Sequence, residues 1–130
     1  MRSRSEVVLD ASALLALLRS EPGHERVGAV IERAVIGAVN LAEVVSKLIR
    51  EGVPVDVIRQ WLGALEVQIK PFDQELAYAT GALLPATRSK GLSLGDRACL
   101  ALARQLEAAV LTTDRAWAGL EVGVEVDVIR

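Results

Sequence analysis

The sequence is poor in the residues on which several common site chemistries depend. Its 130 residues include two Trp, one Tyr, one Phe, one Cys and one His. A single cysteine excludes an internal disulfide, and one His with one Cys cannot form a zinc site of these ligands within the chain. Most Ser-His and Cys-His triads would have to include His24, and nothing around that residue supports this role. The sequence also contains no GxGxxG or Walker A motif, so no nucleotide-binding loop of these types is indicated.

A charge excess and long apolar runs are absent as well. The 15 Lys and Arg residues nearly balance the 17 Asp and Glu residues, which gives a net charge of −2. Proteins that coat nucleic acid through bulk electrostatics carry a basic excess, so this class is excluded, although a local basic rim is not. No apolar run approaches the roughly 20 residues of a membrane-spanning helix, and Glu6 follows residues 1–5 where a signal peptide has an apolar segment. We therefore predict a cytoplasmic protein that does not enter a membrane.

Aliphatic residues dominate the composition. Hydrophobic residues make up 52% of the chain, which excludes a disordered protein. The length is that of one domain and is sufficient to bury a core. Because aromatic residues make up only 3%, we expect this core to be aliphatic and rich in alanine. We predict a single domain over residues 1–130, in which residues 1–5 form a flexible tail.

Short apolar segments alternate with longer helical patterns along the chain. The segments predicted as strands are 7–9, 35–39, 66–70, 109–112 and 124–128. The segments predicted as helices are 11–18, 22–33, 40–50, 54–62, a region from 73 that Pro85 interrupts, and 93–106. Strands that are connected through helices form right-handed crossovers and parallel pairs. We therefore predict the α/β class, with a mostly parallel sheet of about four to five strands flanked by helices on both faces.

Acidic residues follow several of the predicted strands. Asp10, Glu43 and Asp114 lie at or just beyond the carboxyl ends of strands, and Asp96 lies at the start of the helix that leads into the fourth strand. In a parallel sheet these strand ends share one edge, where ligands bind in this architecture. The topology therefore predicts that these acids lie near one another.

Each acid also fits a purely structural role at a helix start. Asp10 and Asp114 are placed as helix N-caps, whose side chains accept hydrogen bonds from the first turn. The pairs Asn40–Glu43 and Ser93–Asp96 have the spacing of a capping box. Only the joint placement of the four acids favours a functional site over four separate caps.

Convergence of four carboxylates has a chemical consequence. Two carboxylates about 5 Å apart repel by about 3 kcal/mol at an effective dielectric constant of about 20. Such a cluster requires a cation or raised pKa values. Oxygen ligands without nearby His or Cys favour Mg²⁺ or Mn²⁺ over zinc. A carboxylate-bound Mg²⁺ in turn typically serves phosphate chemistry.

Four sequence segments match one known family in the order in which they occur. They are residues 8–18 (VLDASALLALL), 40–44 (NLAEV), 91–103 (GLSLGDRACLALA) and 111–117 (LTTDRAW). The third segment is the most specific, and together they span nearly the whole chain. The chain resembles the PIN-domain ribonucleases, and specifically the VapC toxins of bacterial and archaeal toxin–antitoxin pairs.

The resemblance assigns roles to individual residues. It implies catalytic and metal-binding roles for Asp10, Glu43, Asp96 and Asp114, with supporting hydroxyls at Ser12 and Thr112. Glu43 would help to bind the ion through water or act as the base on the attacking water. Many relatives carry a further acid two residues after the last aspartate, where this chain has Ala116, and this weakens the prediction of a second metal ion.

The resemblance also implies an activity and partners. It implies a Mg²⁺- or Mn²⁺-dependent endoribonuclease toxin that hydrolyses RNA phosphodiester bonds. It further implies a homodimer and a cognate VapB-type antitoxin, whose tail would cover the acidic pocket. Contact with DNA would then belong to the antitoxin.

We expect RNA contacts from basic residues beside the proposed acids. Arg97 and Arg115 each directly follow one of them, and Lys47 lies one helical turn after Glu43. For Lys47 an ion pair with Glu43 is an equal alternative. For Trp117 we favour a position in the core over stacking on a base.

Three other functions fit the sequence less well. A PIN-like module that only binds RNA or its antitoxin is the main alternative, and the intact set of acids argues against it. A haloacid-dehalogenase-type phosphatase requires a second Asp two residues after Asp10, where this chain has Ser12. A phosphoacceptor receiver domain requires an acidic pair before the acceptor and a late lysine, and neither is evident.

Overall fold

Five parallel strands form one sheet at the centre of the computed structural model, which describes residues 6–130. The strands are β1 (Val7–Leu9), β2 (Ala34–Gly37), β3 (Gln68–Lys70), β4 (Ala109–Thr112) and β5 (Val126–Val128). Their order across the sheet is β3-β2-β1-β4-β5, and every neighbouring pair is parallel. β1 is therefore central, and the carboxyl ends of the strands lie along one edge. The predicted α/β class is confirmed, and the predicted tail, residues 1–5, lies outside the described residues.

Seven α-helices connect the strands in the described part of the chain. They are α1 (Ala11–Arg19), α2 (His24–Val30), α3 (Ala38–Arg50), α4 (Val55–Leu65), α5 (Gln74–Ala82), α6 (Leu84–Thr87) and α7 (Leu94–Leu106). Short 3₁₀ turns cover Ile31–Arg33, Arg88–Lys90 and Arg115–Trp117. Between residues 6 and 130, none of these helices combines the length and the apolar character needed to cross a bilayer.

The sheet separates two hydrophobic cores, because successive side chains of a strand point to opposite faces. On one face Leu9 packs with residues of α1, α2, α3 and α4, and on the other Val8 packs with residues of α5 and α7. Both side chains are completely buried. Burial on both faces explains why β1 is continuously apolar and does not alternate with polar residues. The helices on both faces agree with the predicted arrangement.

Trp117 is the largest fully buried side chain of the protein's described residues. It belongs to the core on the α5 and α7 side of the sheet, together with Val8 and Val110. Its position confirms the core assignment and excludes stacking on a bound base.

The boundary between β2 and α3 differs from the prediction. The sequence predicted a strand to residue 39 and a cap at Asn40, but β2 ends at Gly37 and α3 begins at Ala38. Asn40 lies inside the first turn and is buried, so the predicted Asn40–Glu43 capping box is wrong. The physical reason is tertiary, because the amide of Asn40 donates across to the carbonyl of Gly95 at the start of α7.

The predicted caps at Asp10, Asp114 and Ser93 are confirmed, whereas the helix predicted from Pro22 begins only at His24, after an N-cap at Gly23 whose φ of 95° is not helical. The Asp10 carboxylate accepts from the backbone N–H of Ala13, and the Asp114 carboxylate accepts from that of Ala116. Ser93 and Asp96 form the reciprocal capping box that opens α7. These caps place carboxylates at the starts of helical segments that follow β1 and β4, and at the start of α7.

Candidate active site

Asp10 occupies the centre of the carboxyl edge. It directly follows Leu9, the last residue of the central strand, and its extended backbone turns the chain into α1. Its Oδ1 atom accepts from Ala13 N at 2.8 Å and from Ser12 Oγ at 2.7 Å. The side chain is almost completely buried. An acid held inside the edge of the sheet in this way is costly unless its charge is stabilised.

Thr112 fixes the second oxygen of Asp10. Its hydroxyl donates to Asp10 Oδ2 at 2.6 Å and accepts from Asp114 N at 3.0 Å. Ser12 Oγ in turn accepts from Thr113 N at 3.0 Å. The loops after β1 and β4 are thereby joined through two hydroxyls, both of which donate to the same carboxylate.

Opposing effects act on the pKa of Asp10. Burial is the largest, and it raises the pKa of this carboxyl above its ordinary value of 3.8. The hydrogen bonds from Thr112, Ser12 and Ala13 lower the pKa, and the charge of Asp96 raises it. The net result is a raised pKa, because the hydrogen bonds do not fully offset the effect of burial on the charged carboxylate. A cation beside Asp10 would favour the charged form.

Asp96 and Asp114 both use part of their carboxylate for capping. Asp96 Oδ2 accepts from Ser93 N at 2.9 Å, and Asp114 Oδ1 accepts from Ala116 N at 2.9 Å. A carboxylate has two oxygens and about four lone pairs, so a cap leaves acceptor capacity for a cation. The structural role and a ligand role are therefore compatible in both residues.

Glu43 reaches the same region from α3. Its Oε1 atom accepts from Asn40 Nδ2 at 2.8 Å, and its carboxylate lies directly against the backbone of Gly95. Gly95 precedes Asp96 in the first turn of α7. The contact between α3 and α7 thus brings the second and third predicted acids together.

Cys99 lies in the core beneath the acids. Burial raises the pKa of its thiol well above the usual range, and the charges of Asp10, Asp96 and Glu43 raise it further. Cys99 is fully buried.

The four acids lie along the carboxyl edge of the sheet, but their side chains are not arranged as the ligands of one metal ion. Between residues 6 and 130, no three Asp, Glu, His or Cys side chains are grouped closely enough to hold a metal ion as they stand. Asp114 is exposed, whereas Glu43 and Asp96 are half-buried. Binding of one ion by all four would therefore require side-chain movement, which is easiest for Asp114 and hardest for Asp10.

The predicted RNA-contact residues occupy three different settings. Arg97 is half-buried and donates to the carbonyl of Thr80 on α5 at 3.1 Å, so its guanidinium contributes to helix packing. Arg115 is exposed, and its Nε donates to the carbonyl of Arg130 at 3.2 Å. Lys47 is exposed, and within the described chain no ion pair joins it to Glu43.

Two residues of the site were not identified from the sequence. Gly95 was not singled out, and Asn40 was assigned to a capping box that does not form. The spacing of Asn40 and Glu43 did signal a side-chain contact within one turn. The contact with Gly95 has no local signal, because it joins residues that are 55 positions apart.

Comparisons with known proteins agree with this fold. The model of the family described as PIN domain matches residues 7–122. No curated protein matches the chain at a significant level.

Solved structures of similar fold include toxin–antitoxin proteins. The DNA-bound VapBC structure from Salmonella typhimurium has a TM-score of 0.73 and 17% identity, covering 95% of this chain and 98% of that one. The toxin–antitoxin complex from Klebsiella pneumoniae has a TM-score of 0.69 and 20% identity, with coverages of 92% and 95%. VapBC-5 from Mycobacterium tuberculosis has a TM-score of 0.59 and 22% identity, with coverages of 98% and 99%. The family model covers most of the chain, and the chain belongs to the PIN domain family.

Proposed function

We propose that this protein is a VapC-type toxin, a metal-dependent endoribonuclease that hydrolyses RNA phosphodiester bonds and is neutralised by a cognate antitoxin. The observation that carries the proposal is the buried Asp10 carboxylate at the end of the central strand, with three further acids on the same edge. Membership of the PIN domain family supports nuclease chemistry in general. The solved toxin–antitoxin structures of similar fold support the assignment to a toxin.

The donor set fits a hard divalent cation. All four acids offer oxygen ligands, and a bound cation would favour the charged form of Asp10, whose pKa is raised by burial. Mg²⁺ and Mn²⁺ prefer such ligands, whereas the described part of the site contains no histidine. The residues that would hold the ion are Asp10, Glu43, Asp96 and Asp114. When bound, the ion neutralises charge on a phosphodiester and lowers the pKa of water.

The remaining residues would orient the acids and the substrate. Ser12 and Thr112 hold both oxygens of Asp10, so this carboxylate has one orientation. Glu43 would bind the ion through water or accept a proton from the attacking water. Of the three predicted basic residues, the exposed Arg115 and Lys47 would contact phosphates more readily than Arg97, which is half-buried against α5.

Two partners follow from the proposed function. An antitoxin of the VapB type would bind over the acidic edge and so block access to RNA. The toxin would form a homodimer in the cytoplasm, and any contact with DNA would be made through the antitoxin. Co-purification with the product of a neighbouring small gene, and growth arrest when the toxin is expressed without it, would support this assignment.

Cleavage of RNA by an Asp10→Asn variant tests the proposal. The matched control is Asp73→Asn, because Asp73 also follows a strand and caps a helix, accepting from Leu76 N at 2.9 Å, but lies outside the four acids. We expect the purified protein and the control to cleave single-stranded RNA with Mn²⁺ or Mg²⁺, and Asp10→Asn to lose this activity while staying folded by circular dichroism.

Two results would contradict the proposal. The first is cleavage in excess EDTA, and the second is full activity of Asp10→Asn. RNA binding by the wild-type protein without any cleavage would favour the alternative, a non-catalytic PIN-like module that binds RNA or its antitoxin.

A further inference from the structure

The Glu43 carboxylate occupies the space that a side chain at position 95 would need. An ideal Cβ atom on Gly95 would lie 2.4 Å from Oε2 and 2.7 Å from Oε1 of Glu43. Both distances are far shorter than a normal van der Waals contact of about 3.5 Å. Gly95 lies in the first turn of α7 and has no positive φ, so its backbone conformation does not require glycine. The requirement comes from Glu43.

Asn40 holds the same carboxylate from the other side. Its Nδ2 donates to Glu43 Oε1 at 2.8 Å and to the carbonyl of Gly95 at 3.0 Å. Both neighbours are acceptors, so the amide nitrogen and not the amide oxygen must face them. One side chain therefore ties Glu43 to the backbone residue against which it packs.

The orientation of Asn40 leaves a polar atom without a partner. Its Oδ1 is buried and accepts no hydrogen bond from the described residues. An unsatisfied buried acceptor destabilises a fold, so a residue selected only for packing would not be expected here. The arrangement is explained if the amide serves the position of Glu43.

We propose that Gly95 and Asn40 are positioning residues for Glu43. Gly95 leaves the space in which the carboxylate lies against the start of α7, next to Asp96 in sequence, and the amide of Asn40 holds the carboxylate there through one hydrogen bond. This inference rests on the proposed function, in which Glu43 contributes to binding of a divalent ion.

A cycle of glycine and glutamate variants tests the role of Gly95. The variants are Gly95→Ala, Glu43→Ala, the double variant, and Gly81→Ala as a control in α5, where an added Cβ meets no atom within 4 Å. The carboxylate is the end of a flexible side chain, so Gly95→Ala should displace Glu43 and still fold. Disruption of residues that orient ligands typically weakens metal binding about 10–100-fold. We expect at least about a tenfold loss of Mn²⁺ affinity in Gly95→Ala, measured by isothermal titration calorimetry.

The other variants separate positioning from a general structural effect. Gly81→Ala should bind Mn²⁺ as the wild type does. In the Glu43→Ala background, Gly95→Ala should cause no further loss of affinity, because the displaced group is already absent. Asn40→Ala should follow the same pattern, with weaker binding only when Glu43 is present. Wild-type affinity in Gly95→Ala, or an equal loss in both backgrounds, would overturn the proposal.

Thermal unfolding in EDTA tests the contact without any metal. Replacing a helical glycine by alanine at an unstrained position raises Tm by roughly 1–4 °C for a domain of this size. We expect Gly81→Ala to raise Tm by this amount relative to the wild type, and Gly95→Ala to do so in the Glu43→Ala background. In the wild-type background, Gly95→Ala should raise Tm less or lower it. An equal gain with and without Glu43 would refute the contact. If the wild type binds no Mn²⁺, the proposed function fails, and this thermal cycle still decides the positioning role.

Discussion

The hydroxyl of Thr112 makes the most directly testable contribution to the site. It donates to the buried Asp10 carboxylate at 2.6 Å, and Thr112 itself is completely buried. Thr112→Val keeps nearly the same shape but removes the donor to Asp10, together with the acceptor for the backbone N–H of Asp114. A hydrogen bond to a charged group contributes about 1.5–3 kcal/mol, and we expect a loss of this size in the free energy of unfolding at neutral pH. For a domain of this size the corresponding decrease in Tm is roughly 5–12 °C.

The loss should depend on pH in a defined direction. The Thr112 hydroxyl lowers the pKa of Asp10, which means that it favours the charged carboxylate. The destabilisation by Thr112→Val is therefore greatest above the pKa of Asp10 in the folded protein. It should shrink as the pH falls through that pKa, because the protonated carboxyl gains less from the hydroxyl.

Urea unfolding at several pH values, from neutral to acidic, measures both effects. The control is Thr113→Val, because Thr113 contributes its backbone N–H and not its side chain to Ser12. We expect the control to remain near the stability of the wild type. An equal stability of Thr112→Val and wild type, or a loss that does not change with pH, would refute the proposed support of Asp10.

Two further predictions concern stability without metal. Burial raises the pKa of Asp10 in the folded protein, so the stability that the protonated carboxyl contributes is lost as the pH rises through that pKa. We therefore expect Asp10→Asn to be more stable than the wild type at neutral pH in EDTA, with a difference that shrinks in acid. A variant less stable than the wild type would contradict this. Trp117→Ala removes the largest fully buried side chain and should lower the free energy of unfolding by about 3–5 kcal/mol in urea, whereas a loss below about 1 kcal/mol would show that the ring is not a core residue.

The pattern of short apolar strands and longer helices predicted the fold because the chain is locally consistent. β1 and β4 were located from runs that are buried on both faces of the sheet. The edge strands were predicted too long, since β3 covers only Gln68–Lys70 and β5 only Val126–Val128. Strand ends depend on where the partner strand stops, and the sequence of one segment does not contain that information.

The places of Asp10 and Asp114 at the carboxyl edge of the sheet were predictable from the topology. Carboxyl ends of parallel strands meet at one edge whatever the details of packing, so Asp10 and Asp114 follow from the strand assignment alone. The roles of Gly95 and Arg97 were not predictable in this way. The space above Gly95 depends on how α3 packs on α7, and the direction of Arg97 depends on the carbonyl that α5 presents.

Asn40 shows why a correct pattern led to a wrong local structure. Its spacing from Glu43 fits a capping box, and the two side chains do form a hydrogen bond. The bond lies inside the helix and not at its start, because Gly37 ends the strand three residues earlier. The sequence indicated the contact between Asn40 and Glu43, but the second hydrogen bond of Asn40, to the carbonyl of Gly95, depends on how α7 packs against α3.

Sequencing of RNA 5′ ends from cells that express the protein tests the central claim most directly. We expect new 5′ ends at defined positions after induction of the wild type, and none after induction of Asp10→Asn at the same protein level. The same new ends in both samples, or none in either, would contradict a ribonuclease whose activity depends on Asp10.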